Sequence, residues 1–416
     1  MIAAARNGFG IVCLASILLA CSQLDPEPKP SHPAVYVDQP LARNLERACV
    51  ANHRPGVDYF PQKVEFRHSS QLSVTYHGHF KRVKFRPSVS AEEPVEFLFV
   101  QCGTPVPDHG AGTIVVSVPV SRIVTGTRAM LGAADDLDLV DRFVGISDPR
   151  AVTVPSFIDR VEQGRISMMS GYAHGNIEPL MALDPDVYFT FHSAYPQFNM
   201  HPRLWALGVR AVPFGDSLET TPLGRAEWLK VLAMLTNTEG RADIVFDRIE
   251  REYHSIAKLV PSDADAPRVM AGVASQRDVI ELFGGGNHRA RLLEDAGGRF
   301  ILDDNGFPGS WLIAPFEKVY VAGADAPFWI GTRPGIQSVE ALIAANSHHR
   351  WFERAIADGH VYAQDQGYKG MFAFNLQDQG LNNPHVQLAE LVAVLHPNLR
   401  SKLRSNSTLS FMRKLQ

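Results

Sequence analysis

Four cysteines and sixteen histidines are the side chains of this 416-residue chain best suited to metal or covalent chemistry. Their spacing narrows that chemistry sharply. No HExxH and no CxxC pair occurs, and the only adjacent histidines, His348 and His349, sit in a polar stretch, so no dedicated zinc site is expected. The chain also lacks a GxSxG elbow, a P-loop and an acid pair beside a nucleophile, so no catalysed reaction and no cofactor are expected. Gly284 to Gly286 precede a helical pattern without forming the dinucleotide fingerprint, and read as a tight turn rather than an anion cradle.

The cysteines divide by position. The first twenty residues carry one charge, Arg6, and the apolar run Ile11 to Ala20 is too short for a bilayer that needs roughly 20 helical residues. It reads as a signal peptide over 1–20. Leu18, Leu19, Ala20 and Cys21 resemble a lipobox, with Cys21 the residue to be acylated and held at a bacterial membrane facing the periplasm. Ser22 follows it, which is compatible with outer-membrane sorting and leaves the choice of membrane open. Prolines at 26, 28, 30, 33 and 40 make the next stretch an extended tether, within an arm over 21–58. Cys13 leaves with the leader, so in an oxidising compartment Cys49 and Cys102 are left with each other. A disulfide clipping the arm to the body is expected, worth about 2 to 4 kcal/mol; the alternative is two separate buried thiols.

Those residues must be carried on a scaffold. Lys63 to Val100 holds strand-like runs, VEF, LSVTYHGHF, RVKF and VEFLFV, read as a small antiparallel sheet, followed by a buried strand in Thr113 to Val120. The period then changes. Helical patterns at Thr127 to Leu137, Pro155 to Glu162, Asn176 to Leu183 and Arg203 to Leu207 alternate with strands at Phe143 to Ile146, Asp186 to Phe191 and Ala211 to Phe214. Thr221 and Pro222 open a helical stretch broken at Asn237 to Gly240, with a second helix from about Glu239 to Leu259. Alternation resumes with strands at Arg268 to Ala274, Phe328 to Gly331 and His360 to Ala363. The helices between and after them are His288 to Ala296, Phe316 to Ala322, Ser338 to Ala344, Trp351 to Ala357 and Val386 to Leu395. Such a pattern argues for parallel sheets wrapped by helices. The formal charge of −4, or −5 once Arg6 leaves, is spread without long runs, so no nucleic-acid partner is implied. The basic stretch over 401–416 reads as a short solvated tail.

Read in order, YFPQKVEF, LSVTYHGHFKRVKF, FVQCGTPVP, VPVSRIVTGT, GNIEPLMALDPDVYFTF, ETTPLGRAEWLKVLAMLTNTEGRA, FGGGNHRARLLEDAGGRF, FEKVYVAGADAPFWIGT and ELVAVLHPNL resemble the solute-binding proteins of ABC importers for ferric siderophores, heme and cobalamin. The resemblance implies an α/β fold with two Rossmann-like lobes joined by one long rigid helix, and a small N-terminal antiparallel β extension. The lobes would span 59–220 and 261–400, with the helical connector over 221–260. It implies docking of Glu178 and Glu317, one per lobe, on an ABC permease dimer with its ATPase. The ligand, an iron chelate, is expected between the lobes at the carboxyl ends of the strands. Candidates are Thr127, Arg128, His192 and Tyr195 on the first lobe, and Gln276, Asn287, His288, Trp311 and Arg333 on the second. Each has an ordinary structural alternative: His288 as a helix cap, Trp311 as core, Arg128 as the partner of a nearby aspartate. Heme or cobalamin is the alternative ligand, and a surface receptor or scaffold without an importer is the alternative of a different class.

Overall fold

The computed structural model describes residues 32–86, 94–169, 177–261, 266–276, 278–370, 373–403 and 409–416. Cys21, most of the tether, and Gly175 and Asn176 before Glu178 lie outside the described residues.

The arm begins with a short parallel pair, β1 (Ala34–Val35) and β2 (Cys49–Val50), and Cys49 is bonded to Cys102 across 53 positions. The expected disulfide is present. β3 (Leu72–His77), β4 (Phe80–Phe85) and β5 (Val95–Gln101) form an antiparallel meander, and β6 (Ile114–Val118) joins β5 in parallel. Buried Val83 and Phe85 alternate with outward Arg82 and Lys84, as one covered sheet face requires. The single strand expected over Leu72 to Phe80 is instead two, because Gly78 turns the chain at φ +60°. Nor is Val64 to Phe66 a strand: the next three residues give their backbone N–H groups to the Glu227 carboxylate, at 2.8, 2.7 and 2.7 Å.

In the N-terminal lobe, β7 (Ile123–Thr125), β8 (Phe143–Ile146), β9 (Ser167–Met168), β10 (Val187–Phe191) and β11 (Ala211–Phe214) lie in the order β11-β10-β7-β8-β9, all parallel. Strands β7 and β11 are buried throughout, the signature of a sheet covered on both faces. The accompanying helices are α1 (Leu131–Asp136), α2 (Pro155–Glu162), α3 (Glu178–Ala182) and α4 (His201–Ala206). Helix α1 starts later than its pattern suggests. Thr125 and Thr127 hydroxyls accept the N–H groups of Thr127 and Ala129 and hold a turn there.

Thr221 caps α5 (Pro222–Ala226) through Gly224 N–H at 3.0 Å. After α6 (Leu229–Thr236), Asn237 at φ +60° breaks the run, and α7 (Glu239–Ala257) follows. Its 19 residues make a rod about 28 Å long. Ala242, Phe246, Ile249 and Tyr253 form its buried face.

In the C-terminal lobe β12 (Arg268–Met270) ends early. Gly272, at φ +115°, lies so close to its neighbour that a Cβ would come 2.4 Å from the Glu281 carbonyl. The chain therefore leaves the parallel sheet as β13 (Val273–Gln276) and returns as β14 (Val279–Leu282); with β16 (Leu312–Pro315) these form an antiparallel sheet absent from the sequence reading. The main sheet has the order β15-β12-β17-β18-β19, built from β15 (Arg299–Phe300), β17 (Phe328–Thr332), β18 (Val361–Ala363) and β19 (Arg413–Lys414). Only β19 runs antiparallel. The expectation of a solvated tail is thus corrected: Phe411, Met412 and Leu415 are buried, and the Glu390 carboxylate accepts the N–H groups of Ser410, Phe411 and Met412.

Helices α8 (His288–Asp295), α9 (Phe316–Gly323), α10 (Val339–Ala345), α11 (Glu353–Ala357), α12 (Asn375–Gln379) and α13 (Pro384–Leu395) complete the lobe. Two α/β lobes with a rigid helix between them and a β extension in front is the expected fold class. No helix among the described residues is long and apolar enough to cross a membrane.

Candidate functional site

In each parallel sheet the strand order reverses once, between β7 and β10 in the first lobe and between β12 and β17 in the second. A crevice opens outside the carboxyl ends at such a switch point, where open α/β sheets receive ligands. Thr127 and Arg128 follow β7, and His192 and Tyr195 follow β10, so topology brings all four to the first lobe's switch point.

Tyr195 reaches the other lobe. Its hydroxyl donates to the Trp311 carbonyl at 2.9 Å, and the two rings meet edge to face with centroids 5.7 Å apart. Trp311 remains 41% exposed, so it is a rim residue rather than core. Arg128 makes a second crossing: its Nε donates to Asp378 Oδ1 of α12 at 2.9 Å. Asp378 is wholly buried, and its Oδ2 accepts Thr153 N–H at 2.6 Å and the Thr153 hydroxyl at 3.1 Å. Burial pushes the Asp378 carboxyl up in pKa, while Arg128 and Thr153 hold it down. Arg128 does pair with an aspartate, as its structural alternative has it, but one distant in sequence.

The His192 ring lies 5.1 Å from that of His201. Burial, with His192 beside it, lowers the His201 pKa to about 4, so that ring is neutral. The Thr127 hydroxyl is spent locally on Ala129 N–H.

The second-lobe candidates separate. Asn287 is a buried helix cap: its Oδ1 accepts Arg289 N–H at 3.0 Å, and its Nδ2 donates to the Ser217 and Pro308 carbonyls. Its side-chain amide is thus engaged within the protein on both its oxygen and its nitrogen. His288 is buried and its N–H donates to the Glu219 carbonyl; burial first, then Arg225 and Arg289, push its pKa well down. Arg333 is exposed just past β17. Gln276 ends β13 on the antiparallel sheet, not on the parallel strand it was expected to follow, and its side chain lies outside the description.

Asp378, Thr153, Arg289 and Gln364 were not read from the sequence. Arg289 alone left a signal, a cation in the first turn of a helix, against the dipole. Glu178 and Glu317 are exposed in the first turns of α3 and α9, one on each lobe. The glycine run 284–286 is a close backbone crossing: a Cβ on Gly284 would fall 1.8 Å from the Phe307 carbonyl. A groove of about 1160 Å³ along α8, between Val260, Asn287, Arg291 and His396, contains none of Arg128, His192, Tyr195 and Trp311. Among the described residues no three His, Cys, Asp or Glu side chains are grouped to hold a metal.

The description of the periplasmic binding protein family matches residues 123–367, from β7 to just past β18, which leaves β19 outside it. The chain belongs to this periplasmic binding protein family. The family is a solute-binding class rather than an enzymatic one, and its match leaves the β extension in front. An uncharacterized lipoprotein of Methanocaldococcus jannaschii is 23% identical over 73% of this chain and 76% of its own length. Among solved periplasmic binding proteins, a periplasmic heme binding protein from Pseudomonas aeruginosa matches 71% of this chain and 98% of its own, with 16% identity and a TM-score of 0.51. The triscatecholate siderophore binding protein FeuA from Bacillus subtilis, complexed with Ferri-Bacillibactin, matches 68% of this chain and 94% of its own, with 14% identity and a TM-score of 0.50. At these identities the likeness is one of fold.

Proposed function

We propose that the protein is the lipid-tethered substrate-binding component of an ABC importer, which captures an iron chelate of the ferric-siderophore class and delivers it to the permease. The observation that carries this reading is the meeting of Tyr195 and Trp311 across the lobe boundary, beside the first lobe's switch point. Aromatic faces suit a flat or greasy chelate, and guanidinium groups suit carboxylate or catecholate charge. The named binding of heme by one structural neighbour and of a ferric siderophore by another points the same way. Glu178 and Glu317 are the carboxylates offered to permease arginines, one from each lobe. Cys21 is the lipid anchor, in keeping with the lipoprotein name of the Methanocaldococcus jannaschii relative. Because α7 is one rigid rod, closure is small and release depends on docking.

Native mass spectrometry and a visible spectrum of protein from iron-limited cells test this reading, with a co-purifying ferric chelate the expected result. Protein that carries nothing and binds no chelate removes it. The second reading, heme, is favoured by His192 and Tyr195, two axial-ligand types in one loop; a Soret band in protein from rich medium selects it. Uptake should be lost in E178R/E317R with chelate affinity unchanged. Intact uptake would remove the docking assignment.

A further inference from the structure

Several buried or half-buried cations in this protein have carboxylate partners, and buried Arg122 and Arg142 give guanidinium N–H groups to backbone carbonyls, Leu183 for the one and Val120 and Glu46 for the other. Lys81 pairs with Glu239, Lys230 with Glu227, Arg128 with Asp378, Arg225 with Asp216 and Arg413 with Asp365. Arg289 departs from this pattern. Its Nη2 donates to the neutral Gln364 Oε1 at 2.9 Å, its guanidinium lies 4.6 Å from the centre of the Phe283 ring, and among the described residues no carboxylate pairs with it. The charge that bears on it most is another cation, Arg225, whose own Nε is taken by buried Asp216. Burial and Arg225 together lower the Arg289 pKa to about 10, which leaves it charged at neutral pH. The adjacent N-terminus of α8 adds further positive potential. A partly desolvated cation without a counter-ion is costly to hold, so its retention calls for an explanation.

The location supplies one. Gln364 is the first residue after β18, and the Arg289 guanidinium comes within 3.6 Å of where a Cβ on Gly331 would stand, near the end of β17. Gly331 sits at φ +85°, and a Cβ there would also press to 3.0 Å on Gln364. The guanidinium therefore lies over the carboxyl ends of two strands of the second lobe, at the cleft edge of the sheet. Two buried polar atoms close in sequence to these residues, His288 Nδ1 and Thr332 Oγ1, have no hydrogen-bond partner.

We propose that Arg289 is an anion anchor in the cleft, and that the captured solute carries an acidic oxygen group, a carboxylate or catecholate, which pairs with its guanidinium. The proposal rests on the solute-binding reading above and narrows it to acidic chelates. Phe283 and Gln364 hold the planar group in place, so that a bidentate pair forms with little loss of side-chain freedom.

The test uses the full-length protein in detergent. Titration with two anionic probes, a ferric tris-catecholate and hemin, is compared with two probes lacking a free acid group, a linear and a cyclic neutral ferric trihydroxamate. The proposal expects an anionic probe to bind, R289Q to weaken it about 10- to 100-fold, and R289K to weaken it less. A second variant, Q364E, places a carboxylate against Arg289; it should also weaken the anionic probe while keeping or raising the melting temperature, which separates loss of the anchor from loss of the fold. Unchanged affinity of R289Q for the anionic probe, or binding confined to the neutral probes, overturns the anchor and leaves the binding protein standing. Failure of every probe to bind wild-type protein removes the binding reading itself, and the anchor with it.

Discussion

Lys81 on β4 and Glu239 at the start of α7 form an ion pair with both side chains wholly out of solvent. Lys81 Nζ also donates to the Met234 carbonyl and to Asn237 Oδ1, and lies 4.4 Å from the centre of the Phe60 ring. One lysine thus fastens the β extension to the left-handed break between α6 and α7. Burial pulls its pKa down, and Glu239 restores part of it.

Removing one partner leaves the other charge buried and uncompensated. K81M is therefore expected to cost about 3 to 5 kcal/mol, and K81M/E239L to recover most of that loss. Urea unfolding at neutral pH measures both. A single variant as stable as wild type would show that the pair contributes nothing.

Asp378 is held by Arg128 and Thr153 of the other lobe. D378N keeps the shape but removes the charge opposite Arg128, so a loss of about 2 to 4 kcal/mol is expected. Small-angle scattering should show the lobes parting, because this contact joins α12 to the loops after β7 and before α2. Unaltered scattering with unaltered stability counts against it.

The Cys49–Cys102 bond closes a long loop. C49A/C102A, or reduction of the wild type, should lower stability by about 2 to 4 kcal/mol. The loss should be confined to the extension: hydrogen exchange is expected to rise in β1 and β2 while the lobes keep their protection.

Glu390 is buried, and burial raises its pKa to about 7 despite the backbone N–H groups it accepts. A folded-state value above the unfolded one means that the native state binds the extra proton. This contribution is full below about pH 4 and is lost as pH rises toward 7 and beyond. Stability should fall across that window by about 2 to 3 kcal/mol in wild type, and E390Q should flatten the slope. A pH profile identical in the two proteins would refute the assignment.

Much of the scaffold was legible because its signals are local. Thr221 with Pro222, Asn237 at the connector break, and the apolar spacing along α7 each act within a turn or two of chain, and the structure reproduces them. The lobes' alternation fixed which loops lie at the strand ends, and so placed Thr127, Arg128, His192 and Tyr195 together. Sequence spacing did not carry the partners those loops choose. Arg128 meets Asp378, and Tyr195 meets Trp311, only after two separately built lobes come together.

What tertiary structure alone decided has one physical cause. Burial and charge compensation are sums over the whole surroundings of a group, not over its neighbours in the chain. Asn287 reads like a polar loop residue until Ser217 and Pro308 close on it. The basic tail reads as solvated until Glu390 gathers its N–H groups and β19 pairs with β18. Gly272 ends β12 because Glu281 of the returning strand stands too close for a side chain. Arg289 looks like any helical arginine until the fold withholds a carboxylate from it. Local sequence signals determined the lobes, the rod and the expectation of export; long-range packing decided which charged groups of the described residues meet a partner of opposite charge and which do not.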